Sequence, residues 1–339
     1  MDHQRWSLRW GAGVMLCALL LRLTATGFFQ PVAEFLAKPN IASFLLYLET
    51  GRIVRFSPST EVLEVFAYES ATPDFALEPV VLTEPPVEEE PRPSFCAEDG
   101  ESVKFKNSAG VKFDAGELIT TPLQWDLTGV QPAVQILHTH ATESYTRTDG
   151  EDYKETSAFR TLDEGYNMLS IGDHLASILE SGGVAVLHDR TLHDYPSYNG
   201  SYSSSRKAIE KHLEENPSIC MVLDLHRDAS GDLNNQMRTK ATVDGEPSAQ
   251  IMFVVGTGAS GWKENLSLAL KLQVQMERMA SGICRNVNLR SQRFNQDKHN
   301  GALLVEVGAA GNTRAEALKA VEVLAQAILD LSRGTETEN

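Results

Sequence analysis

From about residue 105 onward, short apolar runs alternate with stretches in which apolar residues recur every three or four positions. The runs at 134–137, 184–187, 220–225 and 303–307 have the length and composition of buried strands. Met168, Ile171, Leu175, Ile178 and Leu179 share one face of a helix predicted over residues 166–180, which Gly182-Gly183 brings to a stop. Ser203, Ser204 or Ser205 caps a second helix running to about Glu215, ended by Pro217. A long amphipathic helix is predicted over 266–283. Thr313-Arg-Ala-Glu316 is a capping box opening a last helix to about Leu331. Further strands are expected at 239–244 and 249–255, around a turn at Asp244-Gly245 longer than a tight hairpin, and at 287–294. Residues 149–161 read as a loop. The alternation predicts an α/β fold, a mixed, mostly parallel sheet flanked by helices, over residues 105–333, with a frayed tail at 334–339.

The pattern upstream is different. Arg5 and Arg9 precede the apolar run WGAGVMLCALLL, which continues past Arg22 to Phe29. The span approaches the ~20 residues of a membrane helix, at a cost for Arg22 of ~2.5–3.5 kcal/mol at the bilayer centre, less if it snorkels. Residues 1–30 therefore read as a short cytoplasmic N-terminus and a signal anchor, with the rest of the chain outside the cytoplasm. A cleaved signal peptide is the alternative, with Ala25-Thr26-Gly27 as a weak cleavage site. Residues 31–70 form a juxtamembrane segment containing IASFLLYL, too short for a second span. Residues 71–104 are a Pro- and Glu-rich linker, as in TEPPVEEEPRPS, without enough apolar surface to offset the cost of ordering.

Composition narrows the function by exclusion. The 339 residues carry a net charge of −16, the wrong sign for a nucleic-acid partner, whose phosphates need Lys and Arg. The four cysteines, Cys17, Cys96, Cys220 and Cys284, form no C-x-x-C and no disulfide framework.

The chemistry lies where apolar runs end. VQILHTHATESY passes from a strand to His138, His140 and Glu143. CMVLDLHRD ends on His226, and ALLVEVG holds one carboxylate, Glu306, among apolar neighbours. A charge inside a buried strand is costly unless it is paired or bound to metal. The three stretches stand roughly 80 to 90 residues apart, suited to a site gathered at the carboxyl edge of a sheet. A catalytic zinc ion (Zn2+) keeps three His or carboxylate ligands and one open position. His140, Glu143 and His226 are the candidate ligands and Glu306 the candidate base. His138 is an alternative first ligand, because i and i+2 residues of a strand share a face. Each has an ordinary reading too: a solvated strand end for His140 and Glu143, a core histidine for His226, a structural carboxylate for Glu306. Arg227 or Arg160 can hold a substrate carboxylate or oxyanion, and Asn295 and Gln296 can meet polar groups of a sugar or peptide. Asp163 is a further acidic candidate, while His174, His188, His193, His212 and His299 read as surface or loop residues.

ILHTHATESY, DLHRDASG and NQDKHNGALLVEVGAAGNT, with FRTLDEGYNMLSIGDHL and HDYPSYNGSYSSS, resemble the stage II sporulation protein P family of endospore-forming bacteria. The likeness extends to the order of anchor, FLLYLETGR segment, acidic linker and C-terminal domain. That family is similar to zinc-dependent N-acetylmuramoyl-L-alanine amidases. The resemblance implies a zinc amidase-like fold and a peptidoglycan hydrolase acting on the amide between glycan and stem peptide, with endopeptidase activity on cross-links. It further implies work at the sporulation septum during engulfment, beside a glycan-cleaving enzyme and a polytopic membrane partner. By position His140 and His226 match the amidases' metal histidines and Glu306 their catalytic glutamate. The amidases place glycines after the first histidine and the ligand glutamate further along, on a helix. Glu143 is thus a ligand on the H-x-x-E spacing alone, and Glu151, Glu155, Asp163 or Glu164 can replace it. Two rival functions are a carboxypeptidase-like metallopeptidase, which needs a dedicated arginine, and a degenerate amidase domain kept as a binding module.

Overall fold

A computed structural model describes residues 93–123, 127, 129–232 and 235–332. The expected anchor, the juxtamembrane segment, most of the linker and the tail from 333 lie outside the described residues. Among the described residues no helix is long and apolar enough to cross a membrane.

The apolar runs become seven strands of one sheet: β1 (Phe105–Asn107), β2 (Val134–Leu137), β3 (Val186–His188), β4 (Met221–Asp228), β5 (Ile251–Gly256), β6 (Val287–Arg290) and β7 (Ala302–Ala309). Their spatial order is β1-β6-β5-β7-β4-β2-β3. Every pairing is parallel except β5 with β7. The sheet is therefore mixed and mostly parallel, flanked by helices, as the pattern predicts. The carboxyl ends of β3, β2, β4 and β7 share one edge with the starts of β5, β6 and β1.

The helices are α1 (Ala97–Ser102), α2 (Ala115–Thr120), α3 (Met168–Ser181), α4 (Ser201–Glu215), α5 (Trp262–Met279) and α6 (Arg314–Ser332). Alternation along β4 and β7 divides them between two faces. Leu223, Leu225, Leu303, Val305 and Val307 join the main core with residues of α3, α5 and α6. Val222 and Ala302 pack instead with Leu137 and with Ile209 of α4 in a smaller cluster. Asp224, His226 and Asp228 follow Val222 at intervals of two, and Glu306 follows Ala302 and Leu304, so the polar residues lie on the α4 face.

Several local expectations change. The packed unit reaches upstream of residue 105: Phe95 lies against the core, and Arg278 of α5 holds Asp99 at 2.8 Å. Asp244-Gly245 is a two-residue hairpin turn joining Ala241–Val243 to Glu246–Ser248, separate from β5. Both turn residues have positive φ, 54° and 83°, matching the twist of the flanking strands. The 149–161 loop contains a short hairpin, Glu155–Ser157 against Arg160–Thr161. No side chain caps α4, which begins after Gly200. The capping box of α6 forms as expected: Thr313 Oγ1 accepts from Glu316 N–H (3.2 Å), and Thr313 N–H donates to Glu316 Oε2 (2.9 Å).

Helix α3 approaches the ends of β2 and β3 closely because residue 172 is glycine. A Cβ there would lie 2.5 Å from Nε2 of both His138 and His188. Gly172→Ala is expected to destabilise the domain by about 1–3 kcal/mol through overpacking, read as a lowered urea midpoint at unchanged m-value.

Candidate functional site

Strand β2 stops at Leu137 because the next turn is bonded to a neighbouring strand rather than continued. The backbone N–H of Thr139 donates to Asp224 Oδ1 (2.7 Å), and its hydroxyl donates to Asp224 Oδ2 (2.6 Å). That hydroxyl also shares a hydrogen bond with Ser205 of α4 (2.8 Å). The chain turns, Glu143 N–H closes on His140 O (3.1 Å), and His138 and His140 leave in different directions.

His138 belongs to a cluster on the α3 side. Its Nδ1 bonds Leu225 O (3.1 Å) and its Nε2 lies 2.9 Å from His188 Nε2. Burial, with His188 beside it, pushes its pKa down to about 3, so the ring is neutral. The expectation that His138 and His140 share a face fails, since neither lies in the strand. As an alternative first ligand His138 is engaged elsewhere.

His140 points to the α4 side. Its ring stacks on Tyr198 (4.5 Å between centroids) and stands edge-on to His226 (5.2 Å) and Tyr202 (5.6 Å). Its Nδ1 is buried without a hydrogen-bond partner. Burial and the neighbouring His226 hold its pKa below the usual histidine value. His226 has Nε2 3.0 Å from Asp224 Oδ1, an ion-pair contact without the alignment of a hydrogen bond, and Nδ1 3.8 Å from Glu143 Oε2. Burial alone would depress its pKa, but the carboxylates of Asp224, Glu143 and Glu306 raise it to about 9.

Glu143 is buried among cations. Its Oε1 accepts from Arg160 Nη2 (3.1 Å) and Arg227 Nη1 (3.4 Å), and its Oε2 accepts from Arg227 N–H (3.3 Å). Burial would raise its pKa, yet Arg227, His226 and Arg160 hold it below the ordinary carboxylate value. Arg160 also donates to Asp194 Oδ2 (2.7 Å) and lies over the Tyr198 ring at 4.9 Å. The other acidic candidates are occupied away from the two histidines. Glu151 accepts from Thr148 N–H, Asp163 from Gly165 N–H, Glu155 pairs with Arg147, and Glu164 pairs with Arg190.

Glu306 is in register with His226 on the adjacent parallel strand. Its Oε2 is buried and has no hydrogen-bond partner. Burial raises its pKa to about 8; His226 pulls it down, and Glu143 and Asp228 push it further up.

Three candidates for substrate contact turn out to be scaffolding. Besides Glu143, Arg227 serves Ser144 O (3.1 Å) and Phe159 O (3.0 Å) and is buried. Asn295 donates to Tyr202 O (2.9 Å) and Ser205 Oγ (3.1 Å). Gln296 accepts from Gly256 N–H (2.7 Å) and donates to Val254 O (2.8 Å), pinning the loop before β7 to the end of β5. Their polar atoms are spent on the protein's own backbone and side chains. Of the histidines expected on the surface or in loops, His188 lies in β3, and His193 lies in a loop but is buried between Asp189 (3.0 Å) and Ser204 (2.8 Å).

Reading the sequence missed Asp224, Asp194 and Tyr198. Asp224 was legible, because D-x-H on a strand puts both side chains on one face. Asp194 accepts from Thr142 N–H (3.2 Å) and Thr142 Oγ1 (2.6 Å) as well as from Arg160. Nothing local in HDYPSYNG marks Asp194 or Tyr198, which the β3–α4 loop brings over the turn.

The donor set suits zinc in kind. His140 Nδ1 is a buried nitrogen without a hydrogen-bond partner, and Glu143 turns Oε2 toward His226 Nδ1 (3.8 Å), the ring nitrogen that does not face Asp224. As the side chains stand, no three His, Cys, Asp or Glu among the described residues converge closely enough to enclose an ion.

The family described as Stage II sporulation protein P (SpoIIP) matches residues 71–329. Stage II sporulation protein P of Bacillus subtilis (strain 168) is 29% identical over 230 residues, 62% of this chain and 54% of that protein. The chain thus spans about half the length of the curated relative it matches. Among solved structures, an N-acetylmuramoyl-L-alanine amidase from Clostridium difficile 630 is similar at 14% identity and a TM-score of 0.37, over 59% of this chain and 96% of that one. The CwlD amidase from Clostridioides difficile, solved in complex with the GerS lipoprotein, gives 14% and 0.36, over 58% and 94%. Likeness at this level leaves the fold to be argued from the strands themselves.

The raised pKa of Glu306 has a measurable consequence in metal-free protein. Between the ordinary value of 4.5 and about 8 the folded state binds the Glu306 proton and the unfolded state does not. Stability must then fall as pH rises through that window. Glu306→Gln removes the penalty, so with chelator present the variant should gain on wild type between pH 5 and pH 8. A constant difference in urea unfolding across those pH values would contradict the burial argument.

Proposed function

Starting from the match over residues 71–329, which shows that this chain belongs to the stage II sporulation protein P family, we propose that it is a zinc-dependent peptidoglycan hydrolase. It cleaves the N-acetylmuramoyl-L-alanine amide, with stem-peptide cross-links as a second substrate. The observation that carries the reading is Glu306, half-buried with its Oε2 buried and unpartnered, in register with His226, itself edge-on to His140.

His140, Glu143 and His226 would hold the zinc. The ion would polarise the scissile carbonyl and lower the pKa of a water toward ~7. Glu306 accepts the proton of the attacking water and returns it to the leaving amine, a task suited to a group whose pKa lies near neutrality. Asp224 holds His226 in place, and Arg160 and Arg227 keep Glu143 ionised with Oε2 turned toward His226. Tyr198 covers the outer face of His140.

On this reading the N-terminal segment anchors the chain in the membrane, the domain lies outside the cytoplasm at the sporulation septum, and engulfment is its setting. A glycan-cleaving enzyme and a polytopic membrane protein are its proposed partners. A carboxypeptidase-like activity is disfavoured. Arg160 and Arg227, the guanidiniums beside the site, are both committed to Glu143, so neither is available for a terminal carboxylate. A binding module without catalysis has no use for a buried carboxylate oxygen left without a partner.

Glu306→Gln should keep the fold and the zinc content while release of stem peptides from purified sacculi falls by ~10²–10⁴-fold. Near-normal turnover in that variant would remove Glu306 from the mechanism. His140→Ala and His226→Ala should each lose bound zinc in metal analysis, and retention of full occupancy by both would reject the site.

A further inference from the structure

Amide hydrolysis draws on two complementary groups beside the scissile bond: an acceptor for the proton of the attacking water, and a donor for the oxygen that becomes negative. Glu306 is the acceptor in the reading above. Neither arginine beside the site is free to be the donor, because Arg160 and Arg227 are spent on Glu143, Asp194 and backbone carbonyls. Tyr202, in the first turn of α4, carries a hydroxyl that is not spent. Its ring stands edge-on to His140, 5.6 Å between centroids. The hydroxyl bonds to no group among the described residues, yet it is not sealed from solvent. Tyr198, the other tyrosine on His140, covers the outer face of that ring and is 54% exposed.

The surroundings place the phenol oxygen at the site. Burial raises its pKa above the ordinary tyrosine value, and the carboxylates of Asp224, Glu306 and Glu143 raise it further. Those three come from β4, β7 and the turn after β2, so an oxygen that feels all of them lies among the site residues. It is not bonded to Glu306, whose Oε2 is itself unpartnered. A donor and an acceptor thus face one site without satisfying each other. The backbone around Tyr202 is fastened at a cost. Phe294 and Asn295 both have positive φ, 51° and 58°, a conformation that side chains disfavour. Phe294 packs with Met252, Val254 and Leu304 and comes 6.1 Å from the Tyr202 ring. Asn295 donates to Tyr202 O (2.9 Å) and to Ser205 Oγ (3.1 Å), and Ser205 is tied to Thr139.

We propose that Tyr202 is a further catalytic residue, whose hydroxyl donates a hydrogen bond to the scissile carbonyl oxygen as it becomes an oxyanion. The proposal rests on the hydrolase reading above. The water oxygen attacks the amide carbon, the carbonyl π pair moves onto its oxygen, and Glu306 takes the water proton. Collapse re-forms the C=O bond and breaks the C–N bond, and Glu306 returns the proton to the departing nitrogen. Tyr202 keeps its own proton throughout, because a phenol surrounded by carboxylates does not ionise near neutral pH. Its hydrogen bond strengthens as charge develops on the oxygen, so it lowers the barrier more than it aids substrate binding. Asn295 is then a positioning residue, acting through the Tyr202 backbone.

The test is Tyr202→Phe in the full chain, which removes the hydroxyl and keeps the ring that packs on His140 and Phe294. With a soluble disaccharide-peptide as substrate, kcat should fall by ~10²–10³-fold while KM, zinc content and the urea midpoint stay at wild type. A second readout needs no turnover. A phosphinate analogue, with a tetrahedral anionic phosphorus in place of the amide carbon, should bind the variant about ten- to hundredfold more weakly by calorimetry. The disaccharide that lacks the peptide should bind both proteins equally. Unchanged kcat or unchanged phosphinate affinity in Tyr202→Phe overturns the proposal and leaves the hydrolase reading standing. Loss of zinc or of stability in that variant assigns Tyr202 a structural role and overturns it as well. Wild type that cleaves neither the soluble substrate nor sacculi removes the hydrolase reading and the proposal together.

Discussion

The buried carboxylate of Asp224 is the constraint on which the site depends. An ionised carboxylate inside a sheet must be paired or fully hydrogen-bonded. Asp224 meets that demand with the backbone and hydroxyl of Thr139 and with the His226 ring. Through those contacts it terminates β2, orients one histidine, and links the turn to Ser205 of α4. The two sides of the site are therefore held by one side chain that touches no reacting atom in the proposed chemistry.

A second balance surrounds Glu143. Two guanidiniums keep a fully buried carboxyl ionised, and each is held in turn by other acceptors, Asp194 for Arg160 and two backbone carbonyls for Arg227. Glu306 has no such cations at bonding distance, and burial dominates its pKa. Two glutamates within one site are thus pushed in opposite directions, one toward permanent charge and one toward neutrality near pH 8. That separation is the electrostatic basis for giving them different roles.

The single antiparallel pairing shapes what surrounds the site. With β5 reversed against β7, the edge beyond Glu306 is made of strand starts rather than strand ends. Strand starts are reached from the loop that follows α5, where Cys284 bridges to Ile251 at the start of β5.

The sequence by itself determined most of the elements, because period and punctuation are local properties. The strands at 134–137 and 302–309, the α3 and α6 helices and the Thr313–Glu316 box needed only neighbours in the chain. It also placed His140, Glu143 and His226 where apolar runs end and Glu306 inside one, since a polar residue in or closing an apolar run is visible without a fold. Their environment was decided by tertiary structure alone. Asn295, Gln296 and Arg227 looked available because side-chain type does not reveal which backbone carbonyls lie within reach. His138 and His140 parted because β2 is stopped by a residue about 85 positions away, an interaction no local spacing encodes. The pKa of Glu306 and the cover of Tyr198 over His140 likewise come from segments distant in sequence, brought to one edge by the order of the strands.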